Sequence, residues 1–347
     1  MRAGGPEPVP GRGSLTYAAS GVDVDAGYRA VAMMRAAVEA THGPRVLAGI
    51  GGFAGLWSFD RARWRDPVLA SSADGVGTKL LVAQALDRHD TVGVDLVAMV
   101  VDDLVVVGAE PLFLLDYLAV GRLDPARAAA VVAGVAEGCR LAGCALLGGE
   151  TAEHPDAMEP GAYDLAGFAV GVAERDRLLG PDRVRPGDVL LAMASTGLHS
   201  NGFSLVRHAL AQAGIGYDRV LPELGAPIGE VLLTPTRVYA RDVLDLAASG
   251  VELHALCHVT GGGLPGNLPR SLPPGLVARV DRASWEPPPI FRVFKDLGGV
   301  ADAEMARSTN LGVGMVGVLP AAGAARAVAF LAGRGLDAWV MGEVAPA

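Results

Sequence analysis

The sequence predicts a protein of two domains, each built from mixed α and β layers. Its 347 residues exceed what one ordinary core needs, at roughly 100 to 200 residues per domain. Hydrophobic residues make up 51% of the chain and charged residues 19%, which supplies enough apolar material for two cores and differs from the composition of a disordered chain. Short apolar runs alternate with segments that carry helix signals, as is typical of layered α and β domains.

The predicted boundaries follow changes in composition. Residues 1–14 are rich in Gly and Pro and lack apolar periodicity, so we expect a flexible lead-in. A polar stretch begins at Glu174 and reaches a Pro-Gly-Asp turn at residues 186–188. We therefore place an amino-terminal domain at residues 15–174 and a carboxy-terminal α/β domain at residues 175–347.

Four elements are predicted in the first domain. A helix should begin at Asp124, which is an N-cap residue followed by proline, and should end at Gly143. The predicted strands are apolar runs bounded by polar or glycine-rich turns, and they cover residues 67–71, 144–147 and 164–172.

The second domain continues the alternation. A helix is predicted at residues 201–213, with Ser200 or Asn201 as its cap. The other predicted elements are a strand at 189–194, helices at 235–248 and 321–331, and a last strand at 338–344. No short-period repeat interrupts this order, which argues against solenoids and propellers.

Charge and cysteine content exclude several classes of protein. Lys and Arg number 29 against 38 Asp and Glu, a net charge of -9, so we expect neither nucleic acid nor an anionic membrane as a partner. Acidic residues interrupt the most apolar region, 91–120, and argue against a membrane span. Three cysteines without a CxxC pair signal neither a disulfide framework nor a zinc site, and a cytoplasmic protein is expected.

The first candidate site is the segment from Asp74 to Lys79. Gly75 and Gly77 would let backbone amides approach a phosphate, Lys79 would supply positive charge, and Asp74 would supply an oxygen ligand for a metal. The alternative is a plain glycine turn. The segment does not match the P-loop pattern.

Three aspartates in an apolar segment form the second candidate. Asp95, Asp102 and Asp103 each need a cation or hydrogen-bond donors, because an unpaired buried carboxylate is costly. On a helix, Asp95 and Asp102 share one face. Metal binding and pairing with basic side chains would each meet this need.

Other glycine-rich segments could also surround an anion. His199 to Gly202 opens a predicted helix, whose amino terminus favours a phosphate. The Thr260 to Gly263 turn offers consecutive amides. Gly148 to Glu153 follows a strand and adds two carboxylates, whereas Gly49 to Gly55 only nearly matches a dinucleotide-binding fingerprint. Each segment alone is also compatible with an ordinary turn or helix cap.

Taken in order, these segments resemble the phosphoribosylformylglycinamidine cyclo-ligase family, also called aminoimidazole ribonucleotide synthetases. The resemblance extends from about Tyr17 to about Val344. Its carriers are Gly21 to Gly27, Gly51 to Phe53, Asp74 to Lys79, Gly93 to Met99, Gly108 to Phe113, Gly148 to Glu153, His199 to Gly202, His258 to Gly263 and Gly312 to Met315.

The resemblance implies a fold and a reaction. The fold is a two-domain α/β subunit whose amino-terminal sheet pairs across a homodimer into a barrel. In the reaction, ATP phosphorylates the formyl amide oxygen of formylglycinamidine ribonucleotide, an amidine nitrogen attacks the activated carbon, and phosphate leaves as the imidazole ring closes. The transferring phosphoryl group needs Mg²⁺ and cationic donors.

The resemblance also implies roles for particular residues. His199 and Lys79 are the expected catalytic residues. The expected metal ligands are Asp74, Asp95, Asp103 and Glu150. The expected ATP and phosphate contacts are Gly51, Gly52, Gly75, Gly77, Thr78, Lys79, Ser200, Asn201, Thr260, Gly261, Gly262 and Gly263.

Two positions depart from the family pattern. Tyr17 is followed by Ala18-Ala19 instead of Lys-Asp, which removes any contact of that lysine, and position 102 is Asp where the family often has Asn. The alternatives are a relative of the same fold, of the thiamine-monophosphate kinase or selenophosphate synthetase type, or a non-catalytic nucleotide-binding scaffold. A selenophosphate synthetase would need a reactive cysteine near the amino terminus, whereas the first one here is Cys139.

Overall fold

A computed structural model describes Thr16 and residues 20–347. The flexible lead-in expected at residues 1–14 and the departure at Tyr17 to Ala19 lie outside the described residues. No helix in the described part of the chain is both long and apolar enough to cross a bilayer.

The first half of the chain holds four helices and six strands in the described residues. The helices are α1 (Val24–Glu39), α2 (Lys79–Ala85), α3 (Val92–Val106) and α4 (Pro125–Ala142). The strands are β1 (Val46–Ala48), β2 (Leu56–Trp57), β3 (Pro67–Gly75), β4 (Glu110–Val120), β5 (Ala145–Glu153) and β6 (Tyr163–Glu174).

Strands β3 to β6 form a four-stranded sheet in the order β3-β6-β4-β5. Strand β6 is antiparallel to both neighbours, whereas β4 and β5 are parallel, so β3, β4 and β5 all end at one edge. Helices α3 and α4 pack against this sheet, and nearly every residue of α3 is buried. Helix α4 confirms its predicted signals: the Asp124 side chain accepts from the amides of Ala126 and Arg127, and Gly143 ends the helix with a φ of 81°.

The second half packs helices around a five-stranded antiparallel sheet of order β8-β10-β7-β11-β9. Its strands are β7 (Asp188–Ala194), β8 (Ala255–His258), β9 (Leu276–Val280), β10 (Val313–Pro320) and β11 (Ala338–Pro346). Its helices are α5 (Phe203–Gln212), α6 (Ile228–Leu232), α7 (Ala240–Ala248), α8 (Gly263–Asn267), α9 (Pro289–Gly298), α10 (Asp302–Ser308) and α11 (Ala324–Ala332). Both halves therefore confirm the predicted mixture of α and β layers.

Several predicted bounds are wrong. Strand β3 continues to Gly75 because it pairs with β6, and β5 continues to Glu153 because it pairs with β4, so the Gly148 to Glu153 segment is a strand and not a turn. Helix α5 begins only at Phe203, with no side-chain cap from Ser200 or Asn201.

Helix α7 begins at Ala240 and not at residue 235. The backbone amides of Thr236 and Tyr239 donate instead to the carboxylates of Asp95 and Asp102 on α3. These bonds hold the segment in a non-helical path and join the two halves of the chain. One hydrophobic cluster also continues through both halves, from α1 to α11.

Candidate functional site

The candidate site lies where loops from both halves meet above α3. The turn after β3 reaches α5, and the Thr78 Oγ1 atom lies 3.0 Å from the Ser204 Oγ atom. Strand β8 ends beside α3, where the His258 Nδ1 atom lies 3.0 Å from the Asp103 Oδ1 atom. The segment from Asp74 to Thr78, Asp103 and the glycine-rich turn after β8 thus lie close together.

Two carboxylates and a histidine form the acidic centre of this site. Burial raises the pKa of Asp74, the Gly75 amide lowers it, and the charge of Asp103 raises it further. Burial alone would lower the pKa of His258, but its hydrogen bond to Asp103 and the charges of Asp102, Asp103 and Asp74 raise it. The Nε2 atom of His258 is buried without a hydrogen-bond partner among the described residues.

Lys79 and Asp95 form an ion pair that is closed to solvent. Both side chains are 0% exposed, and the Lys79 Nζ atom lies 2.8 Å from each carboxylate oxygen of Asp95. The ammonium also donates to the carbonyls of His199 and Thr234, at 3.2 and 2.7 Å. The Asp95 Oδ1 atom accepts from the amide and hydroxyl of Thr236, at 2.8 and 2.6 Å.

This geometry corrects two expectations. Lys79 does not present its charge to a phosphate, and Asp95 does not present its carboxylate to a metal, because each group is occupied by the other. Pairing with a basic residue, the alternative left open for the apolar segment, is what the structure shows at Asp95. The partner is Lys79 of α2, which was expected at the phosphate.

Asp102 is one of the two departures from the family pattern noted in the sequence. It is fully buried on α3, and its Oδ1 atom accepts from the Tyr239 amide at 2.9 Å. Burial raises the pKa of Asp102 to about 7, and the His258 charge and the Tyr239 amide only partly offset this. A protonated Asp102 retains one acceptor and gains one donor, which resembles the hydrogen-bonding capacity of an asparagine side chain.

His199 has a constrained backbone and a buried ring. Its φ of 60° is rare for a residue with a side chain, and the Tyr239 ring packs against it with 6.1 Å between ring centroids. The Nε2 atom accepts from the Thr196 amide at 3.2 Å, so a neutral ring carries its proton on Nδ1. Burial, followed by the charges of His258 and Lys79, lowers the pKa of His199 well below its usual range.

The residues after His199 contact the rest of the site. The Ser200 Oγ atom lies 3.5 Å from the Thr236 Oγ1 atom. The Asn201 Oδ1 atom lies 3.5 Å from the position that a Cβ atom of Gly261 would occupy. The segment that precedes α5 therefore borders the glycine-rich turn after β8.

The Thr260 to Gly263 turn is held open by Asn267. The Asn267 Nδ2 atom donates to the carbonyls of Thr260, Gly261 and Gly263, at 3.4, 3.2 and 2.9 Å. The Gly263 amide donates to the Thr260 carbonyl, whereas the amides of Gly261 and Gly262 bond to no protein group within the part of the chain that the structure describes. Two adjacent amides are thus available to an anion.

Substitution of Gly263 tests whether this turn requires glycine. Its φ is 59°, and an added Cβ atom would lie 1.9 Å from the Ala306 carbonyl oxygen. Gly263→Ala should lower the free energy of unfolding by about 3 kcal/mol because both strain and overlap would have to be accommodated. Gly266→Ala is the matched control, since no atom lies within 4 Å of its Cβ position, and it should raise stability by about 0.4–1 kcal/mol. Equal denaturant midpoints for the two variants would contradict the turn geometry.

Three of the predicted site residues lie away from Asp74, Asp103 and the turn after β8: Glu150, Gly51 and Gly52. Glu150 lies on β5, three strand positions from β3, so roughly 14 Å of sheet separates it from the Asp74 strand. Glu150 and Gly51 instead line a second cavity of about 400 Å³ between α1 and β5. Gly52 lies in the exposed loop that joins β1 and β2.

Sequence reasoning missed two residues with unusual surroundings. In the sequence analysis above, His258 appears only as the first residue of the His258 to Gly263 segment, with no role of its own. The position of His258 directly before the glycine-rich turn was the available signal. Asp116 was noted only as a charge in an apolar stretch, yet its carboxyl is buried in the second cavity.

A magnesium ion fits the site only if substrate phosphates supply some of its ligands. The described residues contain no group of three or more His, Cys, Asp or Glu side chains placed to hold a metal. Mg²⁺ is commonly bound by one or two carboxylates together with substrate phosphates. Asp74 and Asp103, which share the acidic centre, match this donor set.

Comparison with known proteins identifies the family. The model of the AIR synthase related protein, N-terminal domain, matches residues 60–173, and that of the C-terminal domain matches residues 185–347. A phosphoribosylformylglycinamidine cyclo-ligase of Anaeromyxobacter sp. (strain Fw109-5) is 54% identical over 332 residues, which cover 95% of this chain and 96% of the relative. The chain belongs to the phosphoribosylformylglycinamidine cyclo-ligase family. A further family member, from Sorangium cellulosum (strain So ce56), is 53% identical over 95% of both chains.

Solved structures of low sequence identity share the fold of the family. Thiamine-monophosphate kinase from Stenotrophomonas maltophilia K279a matches with a TM-score of 0.64 at 20% identity, over 92% of this chain and 94% of that one. The hydrogenase maturation protein HypE in complex with ATP also matches with a TM-score of 0.64 at 20% identity, over 92% and 86% of the two chains. These matches confirm the predicted two-domain α/β fold.

Proposed function

We propose that this chain converts formylglycinamidine ribonucleotide to aminoimidazole ribonucleotide, with ATP converted to ADP and phosphate, in purine biosynthesis. The observation that carries the proposal is the 54% identity to a named cyclo-ligase over 95% of the chain. The convergence of the family's motifs around Asp74, Asp103 and the turn after β8 supports it.

The geometry supports distinct roles for the site residues. Asp74 and Asp103 would hold Mg²⁺ together with the ATP phosphates, and the bound ion would offset negative charge on the transferring phosphoryl group. The amides of Gly261 and Gly262 bind a phosphate oxygen. His199 is neutral and donates its Nδ1 proton to an oxygen in the reacting group, because its Nε2 atom is already an acceptor.

The remaining predicted contacts surround these groups. Gly75 and Gly77 allow the turn after β3 to approach the phosphates, and the Thr78 hydroxyl lies at the junction with α5. Ser200 and Asn201 border the turn that carries the free amides. Lys79 is proposed as a positioning residue, since its ammonium holds the carbonyl of His199 at 3.2 Å.

A direct assay tests the proposal. Purified protein is mixed with Mg²⁺, ATP and formylglycinamidine ribonucleotide, and ADP and aminoimidazole ribonucleotide are measured together. We expect one ADP for each ring closed. Release of ADP without ring closure, or ring closure without ATP, would refute the proposed activity.

We also propose that the chain is a homodimer joined through the amino-terminal sheet. One face of that sheet packs on helices, whereas the other exposes large apolar side chains: Leu69 is 65% exposed, Phe168 45% and Tyr117 42%. An exposed apolar face of this kind marks an interaction surface. A second copy that presents the same face would cover it with the symmetry typical of homodimers.

A charge placed on this face should separate the subunits. Leu69→Lys is expected to give a monomer of about 35.5 kDa by light scattering, whereas the unchanged chain should give twice that mass. Leu141→Lys on α4 is the control, because Leu141 is an exposed leucine outside the sheet, and it should remain dimeric. An unchanged chain that is monomeric and fully active would contradict the dimer.

We also propose that the protein is located in the cytoplasm. All three cysteines are free and buried, and disulfides are rare in reducing compartments.

A further inference from the structure

A cavity of about 600 Å³ lies between α8 and β9 in the second half of the chain. Leu264 of α8, Leu268 and Leu272 of the segment that follows α8, and Ala278 and Val280 of β9 line it. These residues belong to, or pack against, a hydrophobic cluster distinct from the one that continues through both halves. None of the residues assigned to the candidate site lines this cavity, so it is a separate feature of the fold.

The walls of the cavity favour an aliphatic ligand. Its volume lies within the range of about 300–1,000 Å³ that is typical of small-molecule sites. Leucine, valine, alanine and proline side chains form most of the lining, which includes no aromatic ring from the described part of the chain. An aromatic ligand would therefore find no ring on which to stack, whereas an alkyl chain can bury its methylene groups against the aliphatic walls.

Arg282, which follows β9, is the only charged residue that lines the cavity in the described residues. The other polar side chains of the lining already have partners. The Thr309 Oγ1 atom donates to the Met305 carbonyl at 2.8 Å, and the Asn310 Nδ2 atom donates to the Gly197 carbonyl at 2.8 Å. The guanidinium of Arg282 is therefore the group of this cavity that is left to bind a polar part of a ligand.

The charge of Arg282 is not neutralised by a carboxylate in the part of the chain that the structure describes. Burial lowers the pKa of Arg282, and the charge of Asp302 offsets only part of this effect. The Asp302 carboxylate lies 2.5 Å from the Lys295 Nζ atom and is thus already paired. A partly buried guanidinium without a counter-ion is available to an anionic ligand.

Trp285 holds the guanidinium in position. The Arg282 Cζ atom lies over the Trp285 ring, 4.1 Å from its centroid. Trp285 is itself fixed, since its Nε1 atom donates to the Leu311 carbonyl at 2.9 Å and the Trp339 ring packs against it with 6.0 Å between centroids. A guanidinium over an aromatic face can keep its N–H groups for a planar partner, and a carboxylate accepts two parallel bonds from such a group.

The single guanidinium also limits the charge of the ligand. It compensates the one negative charge of a carboxylate, whereas a phosphate monoester carries about -1.5 to -2 at pH 7. We propose that the cavity between α8 and β9 binds an aliphatic monocarboxylate, with the alkyl chain against the leucines of the cavity and the carboxylate on Arg282. This site does not depend on the proposed ring closure, because it shares no residue with the proposed reaction site.

Calorimetry on the full-length protein tests the proposal, with decanoate as the probe. Decanoate should bind about 10- to 100-fold more tightly than 1-decanol, which has the same chain but cannot accept charge-assisted hydrogen bonds. Octanoate and hexanoate should bind progressively more weakly, by about fourfold for each methylene group removed. Equal affinities for decanoate and 1-decanol would overturn the proposal, as would the absence of decanoate binding or tighter binding of decyl phosphate.

Substitutions locate the bound carboxylate. Arg282→Met should reduce the affinity for decanoate to that for 1-decanol, which should itself change little. Arg279→Met is the matched control, because Arg279 is exposed on β9 and does not line the cavity, and it should bind decanoate as the unchanged chain does. An Arg282→Met variant that still prefers decanoate would contradict the proposal.

A variant that fills the cavity tests where the alkyl chain lies. Ala278→Phe should weaken binding of both decanoate and 1-decanol at least tenfold, and thermal unfolding verifies that the variant is folded. A folded Ala278→Phe variant with unchanged affinities would overturn the proposal. If this variant does not fold, the exposed Arg282→Met variant decides the question. Loss of a dimer in either variant, without decanoate binding by the unchanged chain, would assign the cavity to a second copy and refute the ligand site.

Discussion

Asp95→Asn is expected to lower the free energy of unfolding by about 3–5 kcal/mol, because it leaves the Lys79 ammonium buried without its counter-ion. Both side chains are fully buried in the unchanged chain. The other two hydrogen bonds of Lys79 go to neutral carbonyls, which do not replace a carboxylate. A second replacement, Lys79→Met, removes the uncompensated charge and should restore part of the lost stability.

Chemical denaturation of the two single variants and the double variant measures this coupling. The double variant should be more stable than Asp95→Asn alone, since the buried charge is gone while the neutral amide can still accept from Thr236. A stable Asp95→Asn variant with abolished turnover would contradict the ion pair and return Asp95 to the metal site expected from the sequence.

Asp103→Asn is expected to show the opposite pattern, with catalysis impaired and stability nearly retained. The Asp103 side chain is 47% exposed, and an amide oxygen can still accept from His258, so the fold should change little. Loss of a charged metal ligand should reduce kcat/KM by about 10²- to 10³-fold, or roughly 3–4 kcal/mol of transition-state stabilisation. Raising the Mg²⁺ concentration should recover part of the rate if the defect is weakened metal binding.

Steady-state kinetics and thermal unfolding on the same preparation distinguish these roles. Asp103→Asn with a lowered melting point and normal turnover per folded molecule would refute the catalytic assignment. Together the two aspartate variants separate a residue that maintains the fold from one that serves the reaction, although both lie on one helix.

Local signals predicted much of the fold. The N-cap at Asp124 and the glycine at 143 fix the ends of α4 through contacts within a few residues, and both were correct. Pairing between strands was harder to predict from local sequence, because β5 continues through Gly148 to Glu153 only by pairing with β4. The start of α7 was predicted wrongly for a related reason: its preceding amides bond to residues more than 130 positions away.

The same contrast between local signals and contacts of distant residues holds for the candidate site. The sequence located the segments that contain Asp74, Asp103 and the glycine-rich turn, since each has an unusual composition. It could not show that Lys79 pairs with Asp95, because that contact depends on how α2 packs beside α3. Nor could the sequence show that Glu150 lies away from the acidic centre, because the sequence of a single strand does not determine the order of strands in a sheet.

The bonds from α3 to the segment before α7 restrict how members of this family can be recombined. The Asp95 carboxylate accepts from Thr236, and that of Asp102 accepts from Tyr239, across the boundary between the halves. A chimera that joins the first half of one relative to the second half of another inherits these partners from different parents. Position 102 is sensitive in this respect, because its side chain is fully buried and its Oδ1 atom is the acceptor for the Tyr239 amide. Productive crossovers are therefore those that transfer residues 95 and 102 together with residues 236–239 from a single parent.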